Sequence, residues 1–435
     1  LKAFDKPIPK EKLDIVEKTR ANLFAWRGQF SPQLIEVILS TYCLSNSVIL
    51  DPFAGSGTVL LEAGILEFEA HGFEINPAAL ILSKTYEFIN NYNRKEALKI
   101  IKNLINKEFP FRIFENGNHI QNLSEKLKNI KSKLDRETAK IFDALVILID
   151  VANNKITNEF IQSKFADLVK VIENLPYSKQ QIKVGLSDAR SLPLKNDCID
   201  FVITSPPYIN VFNYHQNYRR SAEILGWDLL KIAKSEIGSN RANRGNRFYT
   251  VVQYCLDIAD TLREISRVAK DEARIVFVMG HKSNVLGVPF YNADIIEKIG
   301  VRANLFQRVL RQKREFKNKF GEVIKEDIIN FLNLNNQCCK EAVEQIAREV
   351  AFDVLKSSLP LVSSKNLEFL EDAIDKVRDI GRTPTLDKRL YIYQPDKAAR
   401  LTSLKSLKEV QFMPELSRPH YTKLTACLNN PRLLS

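Results

Sequence analysis

Val48-Ile49-Leu50-Asp51-Pro52-Phe53-Ala54-Gly55-Ser56-Gly57-Thr58 is the stretch around which the rest of the chain falls into order. Its apolar opening reads as a short buried strand, and Val59-Leu60-Leu61-Glu62-Ala63 beyond it reads as a helix. Gly55 and Gly57 let the backbone turn tightly and approach a ligand where a Cβ would collide. The Gly-Lys-Ser/Thr ending of a phosphate-binding Walker loop is missing. A second strand over 70–73 ends at Glu74, and Asn76-Pro77 opens another helix. Strand, glycine turn, helix, strand, acidic residue is the first half of a nucleotide-binding α/β unit, and it predicts a doubly wound, mostly parallel sheet.

Upstream, Ser31 caps and Pro32 starts a helix whose apolar residues run through Leu39, and the mixed residues 12–24 predict another. Downstream, residues 91–180 are rich in Lys, Asn, Leu and Ile and read as a helical insertion. The α/β rhythm resumes at Ile182 and gives a strand over Ile199 to Thr204, then a helix over 251–269 and a strand over 273–279. A helix over 293–299 and an antiparallel pair over 304–310 and 324–332 complete the sheet. Between that pair lie Arg308, Arg311, Lys313, Arg314, Lys317 and Lys319, either a rim for a phosphate backbone or a solvated loop. Helices are predicted over 338–356 and 366–379.

The 435 residues are 45% hydrophobic, enough for more than one minimal α/β domain. A net charge of +12 favours a polyanionic partner without separating DNA from RNA or an acidic membrane. The six cysteines include no CxxC pair, so they read as reduced thiols of a cytosolic protein, and with five scattered histidines no metal site is expected. No apolar run approaches the roughly eighteen residues of a membrane span. Leu1 opens the sequence, and no signal-peptide pattern follows it.

The second telling stretch is Thr204-Ser205-Pro206-Pro207-Tyr208, just past a strand, where open parallel sheets put their ligands. Two prolines hold the chain extended and present a carbonyl of Ser205 or Pro206 at a fixed angle. Tyr208 offers a flat face to a planar base. An exocyclic base amine is a poor nucleophile because its lone pair is delocalised into the ring. Two acceptors on its hydrogens favour pyramidalisation and aim the lone pair at an electrophilic methyl. Attack through ring carbon 5 would need a thiol in a Pro-Cys context, and Cys198 reads as core instead.

Asp51 to Thr58 together with Thr204 to Tyr208 resemble the paired motifs of the S-adenosylmethionine-dependent DNA amino-methyltransferases. The Ser-Pro-Pro-Tyr form is most similar to the cytosine-N4 branch, whereas the adenine-N6 branch more often carries Asp or Asn where Ser205 stands. The resemblance covers residues 26–332 apart from the insertion. It implies an α/β, Rossmann-like class I methyltransferase fold with S-adenosyl-L-methionine as cofactor. By the same resemblance, Phe30, Ser31 and Pro32 close over the methionine end, and Asp51, Phe53, Gly55, Gly57 and Thr58 form the cofactor loop. Glu74 holds the ribose, Asp188 lies near the adenine amino group, and Ser205, Pro206, Pro207 and Tyr208 are catalytic. One departure matters: residues 91–180 separate Glu74 from Asp188, so the family's recognition domain cannot simply be transferred.

A duplex base must be flipped to reach such a site. Phe212, Tyr214 and His215 are expected to line or lid the pocket, the alternative being core packing. Arg241, Arg244 and Arg247 recur every third residue and are expected to grip phosphates, with Asn240, Asn243 and Asn246 available for base or backbone contacts. The organisation expected is the N-terminal part of the methyltransferase domain over 1–90, the insertion over 91–180, the catalytic half over 181–332 and a C-terminal extension over 333–435. The insertion and the extension both compete for target recognition. The expected function is site-specific DNA cytosine-N4 methylation, part of restriction-modification alongside a cognate endonuclease. Its rivals are adenine-N6 methylation, an RNA amino-methyltransferase and a non-catalytic DNA-binding subunit; a dinucleotide oxidoreductase would leave Ser205 to Tyr208 unexplained.

Overall fold

The computed structural model describes residues 5–16, 19–90, 93–111, 120–209, 214–239, 242–318, 321–336 and 338–387. Helix α1 (Pro32–Tyr42) starts with Pro32 in its first turn, behind an extended Ser31, and buries Leu34, Ile35, Ile38 and Leu39. It leads into β1 (Val48–Asp51), and the glycine loop then carries the chain into α2 (Thr58–Ile65). β2 (Glu69–Glu74) is followed by α3 (Pro77–Ser83), where the Asn76 side chain accepts from the N–H groups of Ala78 and Ala79 and Pro77 fills the first turn. Residues 91–180 supply α4 (Arg94–Glu108), α5 (Leu123–Lys131), α6 (Arg136–Ile149) and α7 (Asn158–Glu173). After β3 (Ile182–Leu186) and β4 (Ile199–Thr204) come α8 (Tyr249–Val268), β5 (Ala269–Gly280) and α9 (Asn292–Arg302). The sheet ends with β6 (Phe306–Lys317) and β7 (Val323–Asn333), and α10 (Lys340–Lys356) and α11 (Ser364–Asp375) follow.

In these labels the strand order is 3-2-1-4-5-7-6. The pairs β1–β2, β1–β4, β2–β3 and β4–β5 are parallel, while β7 runs antiparallel to both β5 and β6. The order reverses between β1 and β4, so the loops after these two strands face each other across the switch point, where a sheet of this kind opens a crevice. This is the class I methyltransferase-like Rossmann arrangement.

Alternate residues of each central strand enter two separate cores, as a period of two requires. Ile49, Phe201, Ile203, Val276 and Val278 pack on one face with α1 to α3 and α4 to α7. Leu50, Val202, Ile275, Phe277 and Met279 pack on the other with α8 to α11. The insertion thus forms an outer layer on one face. On the other face packing continues across residue 333, since Val343, Ala347, Val350 and Leu370 join the core of α8 and α9.

One expectation fails outright. In place of a helix over 12–24 there is a short one over Lys10–Asp14, ended by Ile15 in the left-handed region. Past it, Arg20 reaches across to α2, where both its terminal nitrogens bond Glu62 at 3.1 and 2.9 Å. No helix of the described residues is long and apolar enough to cross a membrane.

Candidate active site

Gly57 begins α2 with φ +91, and a Cβ there would lie 2.8 Å from the buried Tyr86 ring, so both backbone and space demand glycine. The tight turn is closed by the Gly57 N–H donating to the Ala54 carbonyl at 2.8 Å. Gly55, with φ +52, donates its N–H to Glu74 Oε2 at 2.8 Å, while Ile75 and Asn76 donate theirs to Oε1 at 2.9 and 2.7 Å. Three backbone donors therefore aim the Glu74 carboxylate before any ligand arrives. Burial raises the proton affinity of Glu74, the three donors oppose the rise, and the nearby charge of Glu236 adds to it.

Asp51 joins the two switch-point loops. Its Oδ1 accepts from the Thr204 hydroxyl at 2.6 Å and from the Phe53 N–H at 3.1 Å. Full burial lifts this carboxyl to about 7 against the pull of those donors, and the charge of Glu74 contributes to the rise.

Across the cleft stand Ser205, Pro206, Pro207 and Tyr208, all in its lining. The Ser205 and Tyr208 hydroxyls are 3.4 Å apart. Room for the Tyr208 ring comes from Gly280 on β5, where a Cβ would approach the ring to 3.0 Å. Burial raises the Tyr208 hydroxyl above its ordinary value, and Glu326 on β7 reinforces the effect. Behind the loop, the Ile209 N–H donates to Asn292 Oδ1 at 3.3 Å.

Trp26 to Phe30 close the cleft over the glycine loop. They are tied down by Asn22, which donates to the Phe30 carbonyl and accepts from the Thr58 hydroxyl, both at 2.8 Å, and by Gln29, which donates to Ser56. Phe53 and Thr58 also line the cleft, whereas Ser31 and Pro32 shape the start of α1 outside the lining.

Asp188 lines the cleft but is held from behind. Arg190 grips it through Nε to Oδ1 at 2.9 Å and Nη2 to Oδ2 at 2.6 Å, and the Leu386 N–H reaches Oδ2 at 3.1 Å. The same buried guanidinium bonds Asp257 on α8 at 2.8 Å and the carbonyls of Thr383 and Pro384 at 2.7 and 3.0 Å. A strap from the C-terminal region thus secures the loop after β3.

Tyr214 lines the cleft, its hydroxyl pushed up to about 12 by burial and by the charges of Glu74 and Glu236. His215 is buried outside the lining, with Nδ1 3.0 Å from Glu236 Oε2. Phe212, Asn240 and Arg241 lie outside the described residues. Arg244 is exposed and Arg247 half-buried, neither in the lining. Two asparagines offered for base contacts are used internally: Asn243 donates to Gln253 at 3.1 Å, and Asn246 donates to the Phe369 carbonyl at 2.7 Å and Asp372 at 2.9 Å.

The three arginines of the basic hairpin have acidic partners. Arg308 pairs with Glu297, Arg311 bonds Asp294, Glu297 and Asp327, and buried Arg314 faces Glu326 at 3.3 Å and Phe316. The residue that sequence reasoning missed is Glu236, which lines the cleft; its only linear signal is that it is the sole acid between Asp228 and Asp257.

The N6/N4 methyltransferase family model, described as DNA methylase, matches residues 9–85, which hold the glycine loop and Glu74. Among curated proteins, the type II methyltransferase M.MjaII of Methanocaldococcus jannaschii is 22% identical over an alignment covering 74% of this chain and 82% of that protein. The type II methyltransferase M.BsoBI of Geobacillus stearothermophilus is 24% identical, covering 48% of this chain and 53% of that protein. The chain is thus similar to the N6/N4 DNA methyltransferases. A solved SAM-dependent methyltransferase from Methanosarcina mazei aligns over 68% of this chain and 97% of its own, at 11% identity and a TM-score of 0.34. The class of the fold rests instead on the strand order.

The cleft suits S-adenosylmethionine. That molecule offers a sulfonium, an ammonium, ribose hydroxyls and an adenine amine, all cationic or donating. In a chain of net charge +12, this cleft is lined by the acids Asp51, Glu74, Asp188 and Glu236. Glu74 ends β2 and Asp188 lies two residues past β3, both in the lining, and when bound the cofactor would supply an electrophilic methyl.

Proposed function

We propose that this chain methylates the exocyclic N4 of cytosine at specific sites in DNA, on a base flipped out of the duplex, as the modification half of a restriction-modification system. The observation that carries the reading is the placement of Ser205, Pro206, Pro207 and Tyr208 across one cleft from Glu74 and Asp188. Pro206 and Pro207 have no N–H, so between Ser205 and Tyr208 the backbone presents carbonyls without competing donors. Carbonyls of Ser205 and Pro206 then accept from the base amine, directing its lone pair toward the methyl in a direct in-line transfer, and Tyr208 stacks on the base. The Ser205 hydroxyl, where adenine-specific relatives more often carry Asp or Asn, favours cytosine. Arg241, Arg244 and Arg247 are proposed to grip the backbone beside the flipped base.

The test is nucleoside mass spectrometry of unmethylated DNA and RNA incubated with the protein and isotope-labelled S-adenosylmethionine. Labelled N4-methyldeoxycytidine is expected. N6-methyldeoxyadenosine would change the base, label confined to RNA would change the substrate, and no label despite cofactor binding and a broad panel of DNA would point to a binding-only subunit.

A further inference from the structure

Glu236 is 7% exposed and lines the cleft, yet the mechanism above gives it no task. Its Oε2 is engaged by His215 Nδ1 at 3.0 Å. Its Oε1 is buried and has no hydrogen-bond partner. Buried acceptors in folded chains are almost always satisfied, so an orphan in a ligand cleft marks the place of a donor that arrives with the ligand. A hydrogen bond with His215 alone would leave Oε1 unexplained.

The neighbours say which donor. Glu236 lines the same cleft as Glu74 and Tyr214, and its charge adds to the burial that lifts both. The carboxylate of Glu74 already accepts three backbone N–H groups and has little capacity left for a vicinal diol with two O–H donors. The loop after β3, where the adenine is expected, is occupied by Asp188 in the grip of Arg190.

We propose that Glu236, oriented by His215, is a second carboxylate for the ribose diol of S-adenosylmethionine, accepting one hydroxyl while Glu74 accepts the other. The inference rests on the cofactor reading of this cleft. His215 then acts as a positioning residue, which gives a buried role to a histidine expected to touch the base.

The test is equilibrium binding of S-adenosylhomocysteine and its 2′-deoxy and 3′-deoxy analogues to the full chain, to Glu236→Ala and to the shape-preserving Glu236→Gln, with thermal melts to confirm folding. Loss of a hydrogen bond to a charged acceptor is expected to weaken S-adenosylhomocysteine binding by roughly 10- to 100-fold in Glu236→Ala. The analogue lacking the partner hydroxyl should bind wild type and variant alike. Equal losses for all three ligands, or no loss in the folded variants, would overturn the proposal while leaving the cofactor reading intact. Failure of the wild-type chain to bind S-adenosylhomocysteine at all would overturn both.

Discussion

The two walls of the cleft are built on opposite terms. The wall on β1, β2 and β3 is made of carboxylates, and backbone N–H groups or a buried guanidinium fix their directions: Glu74 by Gly55, Ile75 and Asn76, Asp188 by Arg190. The wall after β4 is made of Pro206, Pro207 and an aromatic ring settled against Gly280. One side is acidic and crowded with donors from behind; the other has two residues with no N–H to give. On the proposed reading, binding a cofactor and orienting an amine are separable tasks, and the Thr204 hydroxyl joins the walls directly by donating to Asp51.

That seam provides the largest test. Asp51 is lifted to about 7 in the folded chain by burial, so between pH 4 and 7 the folded state keeps a proton that the unfolded chain releases. The contribution of Asp51 to stability is thus most favourable at low pH and declines as pH rises through 7. Asp51→Asn keeps an oxygen to accept from Thr204 and cannot ionise. Denaturant melts at pH 4.5 and 8 should show the variant gaining on wild type at the higher pH, with an upper bound on the order of 4 kcal/mol. An identical pH profile for both proteins would mean that water reaches the seam.

Gly57→Ala should damage the cofactor wall by about 3 kcal/mol, through a Cβ pressed on Tyr86 and a residue forced to φ +91. Melts and S-adenosylhomocysteine binding should fall together. Tyr208→Ala should lower methyl transfer roughly 100-fold, the scale of one lost base stack, while leaving S-adenosylhomocysteine affinity unchanged. A matching loss of cofactor affinity would erase the distinction between the walls. The smallest effect belongs outside the cleft: Arg244→Ala should weaken DNA binding a few-fold and reduce its salt dependence by about one charge, whereas Arg308→Ala, which removes a residue paired with Glu297, should change neither.

Both loops at the switch point were legible because each packs its information into a few adjacent residues: glycines after a strand, prolines after a strand. The closing hairpin was legible as a pair of strands, and its electrostatics were not. Its arginines find partners through strand register and a neighbouring helix: Arg314 lies opposite Glu326, and Arg311 reaches Asp327 across the pair and Asp294 on α9. A linear run of charge shows none of this. Asn246 misled for the same reason, since its partners on α11 are more than a hundred residues away. The helix expected over 12–24 is pre-empted by a tertiary tie, Arg20 to Glu62. Glu236 stayed hidden because it has no motif around it and gains meaning only in the cleft whose lining it shares with Glu74.

The strap that secures Asp188 also has a temporal meaning. A ribosome delivers Asp188, Arg190 and Asp257 long before Thr383, Pro384 and Leu386, yet two carbonyls and an N–H from the later segment complete the network. The nascent chain can lay down all of its parallel strands with that guanidinium still short of two acceptors. The part of the cleft at Asp188 is thus completed only once a segment 198 residues farther along the chain has been made.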